Sequence, residues 1–336
     1  YGNRLPNFEF EVVKVGATSS TVERQAQSIV GGATVASLRF SGASYAGDDD
    51  AFECYLLTGD IDENGYHICG VRRFTGVDAA NEVRFTLTQK NIGIMFGTSD
   101  QPCFVARCED PKNVYVAWQK KGGGSGHLIV EFPEAVGNIY RISNGVIYVM
   151  SLDGKYMLSQ PITGGAVRKT ATAFSPPITD SYNYYLEVAN GIVYLASPAT
   201  KLIRRWDAAT LTALPDVSLA GVVESMESIG SDGKTLFVCH RLNVEPNQNR
   251  TFSILNADGS LTPYAQVVAQ NDGVLSPGFN NSALYAREFI VNNGQIYRLS
   301  IRPQETPGAI SYPQAITIGR VVSPLGAQTV PLGGIV

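Results

Sequence analysis

Apolar and polar residues alternate with a period of two near the start of the chain, where glutamates separate Phe8, Phe10 and Val12. Such alternation is typical of a β-strand with one buried face. The pattern then changes, because residues 20–23 (Ser-Thr-Val-Glu) have the form of a capping box and apolar residues recur after them at helical spacing. The sequence therefore predicts a strand followed by a short helix over roughly residues 21 to 30.

From about residue 31 onward, short apolar runs are separated by Gly, Asn, Asp and Pro. Five of these runs place an aromatic residue between aliphatic residues just after a turn. The five aromatic residues are Tyr115, Tyr148, Tyr194, Phe237 and Tyr297. Their separations are irregular, yet they bracket the roughly 40 to 50 residues of a four-stranded propeller blade. The repeat predicts that each copy contributes a strand to a separate blade.

The turns between these runs agree with the same fold. Asn-Gly and Asp-Gly dipeptides accept a positive φ at low cost, as tight hairpins require. Those that precede a repeated strand are Asn144-Gly145, Asn190-Gly191, Asp232-Gly233 and Asn293-Gly294. We therefore predict an all-β, β-propeller-like fold of roughly five to seven blades. Residues 202–207 and 251–256 are predicted to form middle strands of their blades.

The domain organisation follows from these patterns. Residues 1–30 are expected to form an N-terminal attachment strand with a short linker or helix, and residues 31–320 the propeller. Residues 31–98 lack a clean copy of the repeat, so they are either a divergent first blade or a separate small β domain. The Pro- and Gly-punctuated residues 321–336 are expected to form an extended C-terminal arm.

Composition narrows the function classes. Charged residues make up 17% of the 336 residues and the net charge is -4, which provides no basic surface for nucleic acid. No apolar stretch approaches the roughly 20 residues needed to span a bilayer, and the N-terminus lacks the layout of a secretory signal. The chain begins at Tyr1 without an initiator Met, as expected of a processed product or a fragment of a longer protein.

The five cysteines are an odd number and lie mostly inside apolar runs. Buried thiols in a protein that folds in a reducing cytoplasm are therefore the first interpretation. The alternative is one disulfide between Cys103 and Cys108 across a short hairpin.

One segment resembles the opening of a calcium loop. Asp60, Asp62 and Asn64 alternate before Gly65, so their side-chain oxygens are candidates to converge on one Ca²⁺. The twelfth position is Val71 rather than a bidentate Glu, so such a site lacks its main anchoring carboxylate. The alternative is a plain hairpin turn that uses Asn-Gly chemistry. No other cofactor is expected.

No catalytic signature is found, and we expect the protein not to be an enzyme. Ser125 and His127 lie beside glycines, but adjacent residues at a hairpin tip do not make a catalytic triad. Paired carboxylates for glycoside cleavage are defined by their separation in space. The candidates for such a pair are Glu187, Asp207, Glu224 and Glu227.

An aromatic cluster is a second candidate binding feature. Tyr182, Tyr184 and Tyr185 are candidate surface aromatics for binding sugar rings. The alternative is that they pack between sheets, as aromatic residues commonly do.

The first residues carry a resemblance to a known family. Residues 2–12, Gly-Asn-Arg-Leu-Pro-Asn-Phe-Glu-Phe-Glu-Val, resemble a strand of the central hub or tail-tip proteins of long-tailed bacteriophages and gene transfer agents. The matching positions are Arg4, Leu5, Pro6, Phe8, Phe10 and Val12. This resemblance covers under a tenth of the chain, and the repeats from residue 104 instead resemble propeller blades of the YVTN or quinoprotein-like kind.

The resemblance implies a structural component of a phage tail tip or baseplate, located in the virion and assembled in the host cytoplasm. Its expected partners are other tail or baseplate proteins, further copies of itself, and a host surface glycan or receptor. Two alternatives stay open: a carbohydrate-binding propeller or glycosidase-like enzyme, and a bacterial envelope scaffold.

Overall fold

The computed structural model describes residues 8–15, 20–27, 38–41, 52–74, 80–100, 103–120, 124–178, 184–241, 249–268, 289–292, 295–303 and 320–322. The regular secondary structure within these ranges is β-strand. These ranges contain no helix of the length and apolar character needed to cross a membrane.

The described residues form the following strands in chain order. The first thirteen are β1 (Phe8–Val15), β2 (Ser20–Gln27), β3 (Leu38–Ser41), β4 (Phe52–Ile61), β5 (His67–Phe74), β6 (Ala80–Thr86), β7 (Gly93–Ile94), β8 (Phe96–Ser99), β9 (Phe104–Arg107), β10 (Asn113–Gln119), β11 (Ser125–Glu131), β12 (Val136–Ser143) and β13 (Val146–Ser151). The others are β14 (Met157–Pro161), β15 (Arg168–Lys169), β16 (Tyr185–Ala189), β17 (Ile192–Ser197), β18 (Leu202–Asp207), β19 (Ala213–Ser218), β20 (Ser225–Ser231), β21 (Leu236–Arg241), β22 (Asn249–Leu255), β23 (Leu261–Val268), β24 (Phe289–Asn292), β25 (Gln295–Pro303) and β26 (Arg320–Val322).

These strands form six sheets of four or five strands, which we call blades 1 to 6. Blade 1 has the order β2-β1-β25-β24, blade 2 the order β3-β4-β5-β6, and blade 3 the order β11-β10-β9-β7. Blade 4 is β15-β14-β13-β12-β8, blade 5 is β16-β17-β18-β19, and blade 6 is β20-β21-β22-β23-β26. The six blades of the described residues fall within the predicted range.

The blades follow one another in a closed ring. Clusters of buried side chains join blade 2 to blade 3, and then each blade to the next as far as blade 1. Strand β2 of blade 1 contacts β5 and β6 of blade 2, which completes the circle. The strands β12, β16, β20 and β24 contact one another in succession and therefore lie nearest the ring axis. The predicted propeller fold is confirmed.

The repeated aromatic strands occupy equivalent places in the ring. Strands β10, β13, β17, β21 and β25 contain the five copies, and each is flanked by a partner strand on both sides. The two segments predicted to be middle strands are β18 and β22, which pair with β17 and β21 as expected. The hairpin turns at residues 144–145 and 190–191 are also present, with positive φ at both residues of each dipeptide.

The middle strands are buried on both faces because each blade is covered by two neighbours. In β13, Ile147 and Val149 pack towards blade 3, while Tyr148 and Met150 pack towards blade 5. The side chain of Tyr148 extends from blade 4 to blade 5, where its hydroxyl donates to the carbonyl oxygen of Ala208 at 3.2 Å. An aromatic ring at this repeat position therefore fills the space between blades, which explains why the sequence repeats it.

The N-terminal segment closes the ring. In blade 1, β1 pairs antiparallel with β25 from Phe8 opposite Pro303 to Val15 opposite Ile296. Its other edge pairs with β2, so β1 is an inner strand of the blade. Blade 1 therefore combines strands from an early and a late segment of the sequence, and it contacts both blade 6 and blade 2.

The helix predicted over roughly residues 21 to 30 is wrong, because residues 20–27 form strand β2. The capping box and helical spacing are local signals, and a helix this short is only marginally stable by itself. Hydrogen bonding of β2 along the edge of β1 satisfies the backbone instead, from Lys14 opposite Thr21 to Glu9 opposite Gln27.

The other predicted segments have the following places. Residues 31–98 contain all of blade 2. They also contain β7, which belongs to blade 3, and most of β8, which belongs to blade 4. Of the predicted C-terminal arm, residues 321–322 lie in β26, which pairs with β23 of blade 6. The remainder of that arm lies outside the described residues.

Cys69, Cys103, Cys108 and Cys239 are buried, and their thiols form no disulfide. The buried-thiol interpretation is confirmed for these four residues, and the alternative disulfide between Cys103 and Cys108 is not formed. The side chain of the fifth cysteine, Cys54, lies outside the described residues.

Replacement of Val12 by Pro tests ring closure. Val12 lies opposite Arg24 on one side and Leu299 on the other, and proline removes a donor from this inner strand. We expect the free energy of unfolding, measured by chemical denaturation, to fall by at least about 1–3 kcal/mol. Val12→Thr keeps the backbone N–H and the β-branched shape and is the matched control. Equal stability of the Pro and Thr variants would contradict the assigned place of β1.

The thiol of Cys108 is expected to react slowly in the folded protein. Burial raises its pKa to about 11, and the nearby charge of Asp110 adds to this rise. At pH 8 the folded protein should therefore hold roughly a hundredfold less thiolate at this position than an ordinary cysteine. Alkylation followed by peptide mass spectrometry should show labelling of Cys108 that accelerates strongly in urea. Equal labelling rates with and without urea would be inconsistent with the buried thiol.

Candidate functional site

A buried ionic network lies on the strands nearest the ring axis. Its members are Thr98 on β8, Arg141 on β12 and Glu187 on β16, so it connects blade 4 with blade 5. The side chains of Arg141 and Glu187 are 3% and 4% exposed. Charged side chains are almost never buried to this extent unless they are paired.

The hydroxyl of Thr98 links the two charged groups. It donates to Oε1 of Glu187 at 2.6 Å and accepts from Nη1 of Arg141 at 2.9 Å. Nε of Arg141 and Oε2 of Glu187 lie 3.2 Å apart, a distance that makes them an ion pair although they are not aligned as a hydrogen bond. The network is therefore a three-residue bridge between two blades.

Burial dominates the electrostatics of Glu187. Desolvation raises the pKa of its carboxyl, the Arg141 charge and the Thr98 hydroxyl oppose this rise, and the charge of Asp100 adds to it. A group with a raised folded-state pKa stabilises the fold most at acid pH, and this contribution is lost as the pH rises through that pKa. Arg141 therefore serves mainly to compensate the carboxylate at neutral pH.

Strand β8 makes this network possible because it adds to β12 in parallel, with Gly97 opposite Tyr140 and Thr98 opposite Arg141. A Cβ atom built on Gly97 would lie only 1.8 Å from the carbonyl oxygen of Tyr140. The close approach of the two backbones therefore requires glycine at position 97.

Only part of this network could be predicted from the sequence. Glu187 was a candidate carboxylate, whereas Thr98 and Arg141 were missed. An arginine between Tyr140 and Ile142 in an apolar strand was an available signal, since a charge in such a strand calls for a partner. Which residue supplies that partner depends on the packing of blade 5 against blade 4.

The other carboxylate candidates lie elsewhere. Oδ1 of Asp207 accepts from the backbone N–H groups of Ala209 and Thr210 at 3.0 and 2.8 Å, so it holds the turn between β18 and β19. Glu224 is exposed and Glu227 is partly buried.

A second buried polar pair lies inside blade 6. Nε2 of His240 and Oγ of Ser253 are 2.8 Å apart, and the two residues are 2% and 1% exposed. Because both groups are enclosed by neighbouring strands, the pair contributes to the core and is not accessible to a substrate.

The segment considered for calcium forms the turn between β4 and β5. Oδ1 of Asp62 accepts from the backbone N–H groups of Asn64 and Tyr66 at 2.9 and 2.8 Å, so this oxygen holds the turn. Asn64 is exposed, and the side chain of Asp60 lies outside the described residues. Among the described residues, no three His, Cys, Asp or Glu side chains form a group that could hold a metal ion.

The candidate aromatic residues lie near the start of blade 5. Tyr184 is half-buried against the cluster between blades 4 and 5, and Tyr185 is half-buried against the cluster between blades 5 and 6. Tyr182 lies outside the described residues. Of the candidate assembly residues, Phe8, Phe10 and Val12 belong to β1. Arg4, Leu5 and Pro6 lie outside the described residues.

Comparisons with known proteins do not assign a function. No protein-family model matches the sequence. No curated protein matches it either.

Among solved structures, a protein from Lactobacillus plantarum is 11% identical, with a TM-score of 0.44 over 79% of this chain and 90% of that chain. A nidogen/laminin complex chain is 9% identical, with a TM-score of 0.42 over 75% of this chain and 91% of that chain. The dihydro-heme d1 dehydrogenase NirN is 11% identical, with a TM-score of 0.40 over 78% of this chain and 71% of that chain.

Replacement of Arg141 by Met tests the network. This change leaves the Glu187 carboxyl buried without its cation, so we expect a loss of about 3–5 kcal/mol in the free energy of unfolding at neutral pH. The loss should shrink towards about pH 5, because a lone buried carboxyl can take up a proton. Denaturant titrations at both pH values measure the difference.

The double variant Arg141→Met with Glu187→Leu is the matched control. Because it removes both charges, it should recover most of the lost stability. A loss in the single variant that is independent of pH, or a double variant less stable than the single one, would show that the two groups do not act as a pair.

Proposed function

We propose that the protein is a structural component of a phage tail tip or baseplate, in which the propeller is a rigid body that presents its turns to partner proteins. In this proposal it resides in the virion, is assembled in the host cytoplasm, and occurs in several copies per particle. The partners are other tail proteins, and the outer turns contact a host surface receptor.

The observation that carries the proposal is the position of the hub-like segment. Residues 8–12 of this segment belong to β1, the strand that pairs with both β2 and β25. A partner that holds the residues before β1 would therefore hold the closed ring through a hydrogen-bonded inner strand.

In this proposal the attachment does not use strand addition to β1. Strand addition requires a free edge, and both edges of β1 are already paired within blade 1. The contact is therefore assigned to Arg4, Leu5 and Pro6, while Phe8, Phe10 and Val12 belong to the ring-closing strand. Rigidity supports the same role, because the buried bridge between Arg141 and Glu187 joins two blades near the axis.

The proposal predicts that the protein sediments with tailed particles. Particles released from an induced culture of the source organism should retain the chain through a density gradient, and gold-labelled antibody should mark the end of the tail. Recovery of the chain only in the fractions without particles would reject the proposal.

A pair of variants tests the attachment residues. Arg4→Glu should reduce incorporation into particles and leave the unfolding temperature unchanged, because residue 4 precedes the ring-closing strand. Lys234→Glu makes the same charge change at the exposed turn between β20 and β21 and should be incorporated normally. Equal incorporation of both variants would assign the contact to another surface.

A further inference from the structure

A surface cleft lies where blades 2, 3 and 4 meet at one end of the ring. Its volume is about 540 Å³, and it is bordered by the beginning of β5, the link from β6 to β7, the turn from β9 to β10 and the turn from β13 to β14. Clefts of roughly 300–1,000 Å³ accommodate small molecules. The ring packing creates this cleft, since three separate blades supply its walls.

Two cationic side chains line one part of the cleft. The ammonium of Lys90 lies 4.8 Å from the centroid of the Tyr66 ring, and Nη1 of Arg107 donates to the carbonyl oxygen of Val136 at 3.3 Å. Arg107 also lies against Gly93, since a Cβ atom there would be 3.4 Å from its Nε. Among the side chains that the structure describes, neither cation forms an ion pair with a carboxylate. Within the described part of the chain, each cation therefore has a contact that positions it but is not paired with a carboxylate.

Polar side chains that are not cationic also line the cleft. Nδ2 of Asn91 donates to Oε2 of Glu109 at 2.9 Å, which fixes both side chains at the wall. Nδ1 of His67 is buried and has no hydrogen-bond partner within the described part of the chain. A carboxylate only accepts hydrogen bonds, so Glu109 favours a ligand that offers hydroxyl donors.

The remaining wall is neutral or apolar. The thiol of Cys108 is uncharged at neutral pH, as ordinary cysteine thiols mostly are, and its burial raises the pKa further, to about 11. Leu152 is 51% exposed, although it is a large apolar residue. Together with Ile92 it gives the cleft an apolar surface beside its charges.

We propose that this cleft binds a monosaccharide-sized anion that also carries hydroxyl groups, namely a sugar acid or a sugar phosphate. The anionic group contacts Lys90 and Arg107, since a guanidinium and an ammonium both suit carboxylate and phosphate oxygens. The hydroxyl groups donate to Glu109, and the C–H face of the sugar ring packs against Ile92 and Leu152. This site belongs to the isolated chain and does not depend on its assembly into a particle.

Isothermal titration calorimetry with the purified full chain tests the site. The probes are glucuronate as the carboxylate, glucose 6-phosphate as the phosphate, glucose as the neutral sugar and inorganic phosphate as the bare anion. We expect at least one of the two anionic sugars to bind more tightly than both glucose and inorganic phosphate. The affinity should fall as salt is added, because the contacts are ionic. The ranking of the two anionic sugars identifies which anion the site takes.

Variants of the two cations connect binding with the cleft. Lys90→Gln and Arg107→Gln should each weaken the anionic sugar by roughly tenfold to a hundredfold, the usual value of a hydrogen bond to a charged group. Lys234→Gln removes an exposed lysine on blade 6 and should bind as the unchanged protein does. Because Lys90 is exposed, its variant is expected to keep the unfolding temperature even if the Arg107 variant does not.

Several results would overturn the proposal. One is the absence of heat with both anionic sugars. Another is that neither anionic sugar binds more tightly than both glucose and inorganic phosphate. Unchanged affinity in the Lys90→Gln variant would equally remove the cleft as the binding site. Since these measurements use the chain alone, they are independent of whether it sediments with particles.

Discussion

The pairing of β1 with β25 is the constraint on which the rest of this structure depends. It joins a segment from the start of the chain to one near residue 300, and it extends from Phe8 opposite Pro303 to Val15 opposite Ile296. A blade has two faces to bury, and it buries them only when a neighbour covers each one. Closure of the ring provides both neighbours for every blade, so strands such as β13 can be apolar on both faces.

Closure also explains where polar groups can be buried. The strands nearest the axis come from different blades and lie against one another, so a charge on one strand can meet its counter-charge on the next. Arg141 and Glu187 do this across blades 4 and 5, with the Thr98 hydroxyl between them. Such a bridge is a weak source of net stability but is costly to break from one side. It favours one relative position of the two blades.

We propose that function in this fold depends on the turns and on the segment that leads into the ring. The cleft that contains Lys90 and Arg107 is bordered by segments from blades 2, 3 and 4. These segments are separate in the sequence, and they meet because the blades are neighbours. The proposed tail role and the proposed ligand site use different parts of the molecule. The first depends on residues before β1, whereas the second depends on Lys90 and Arg107.

The all-β class, the repeat and the hairpin turns could be predicted from the sequence, because they depend on period-two patterning and on Asn-Gly backbone chemistry within a few residues. The structure alone decided that Ser20–Gln27 is a strand, since the edge of β1 outweighs a local capping signal. It also decided that Glu187 has a buried partner and that Lys90 lies in the same cleft as Arg107. These side chains come from separate strands and links, and how they meet depends on the packing of one blade against the next, which no pattern within a few residues encodes.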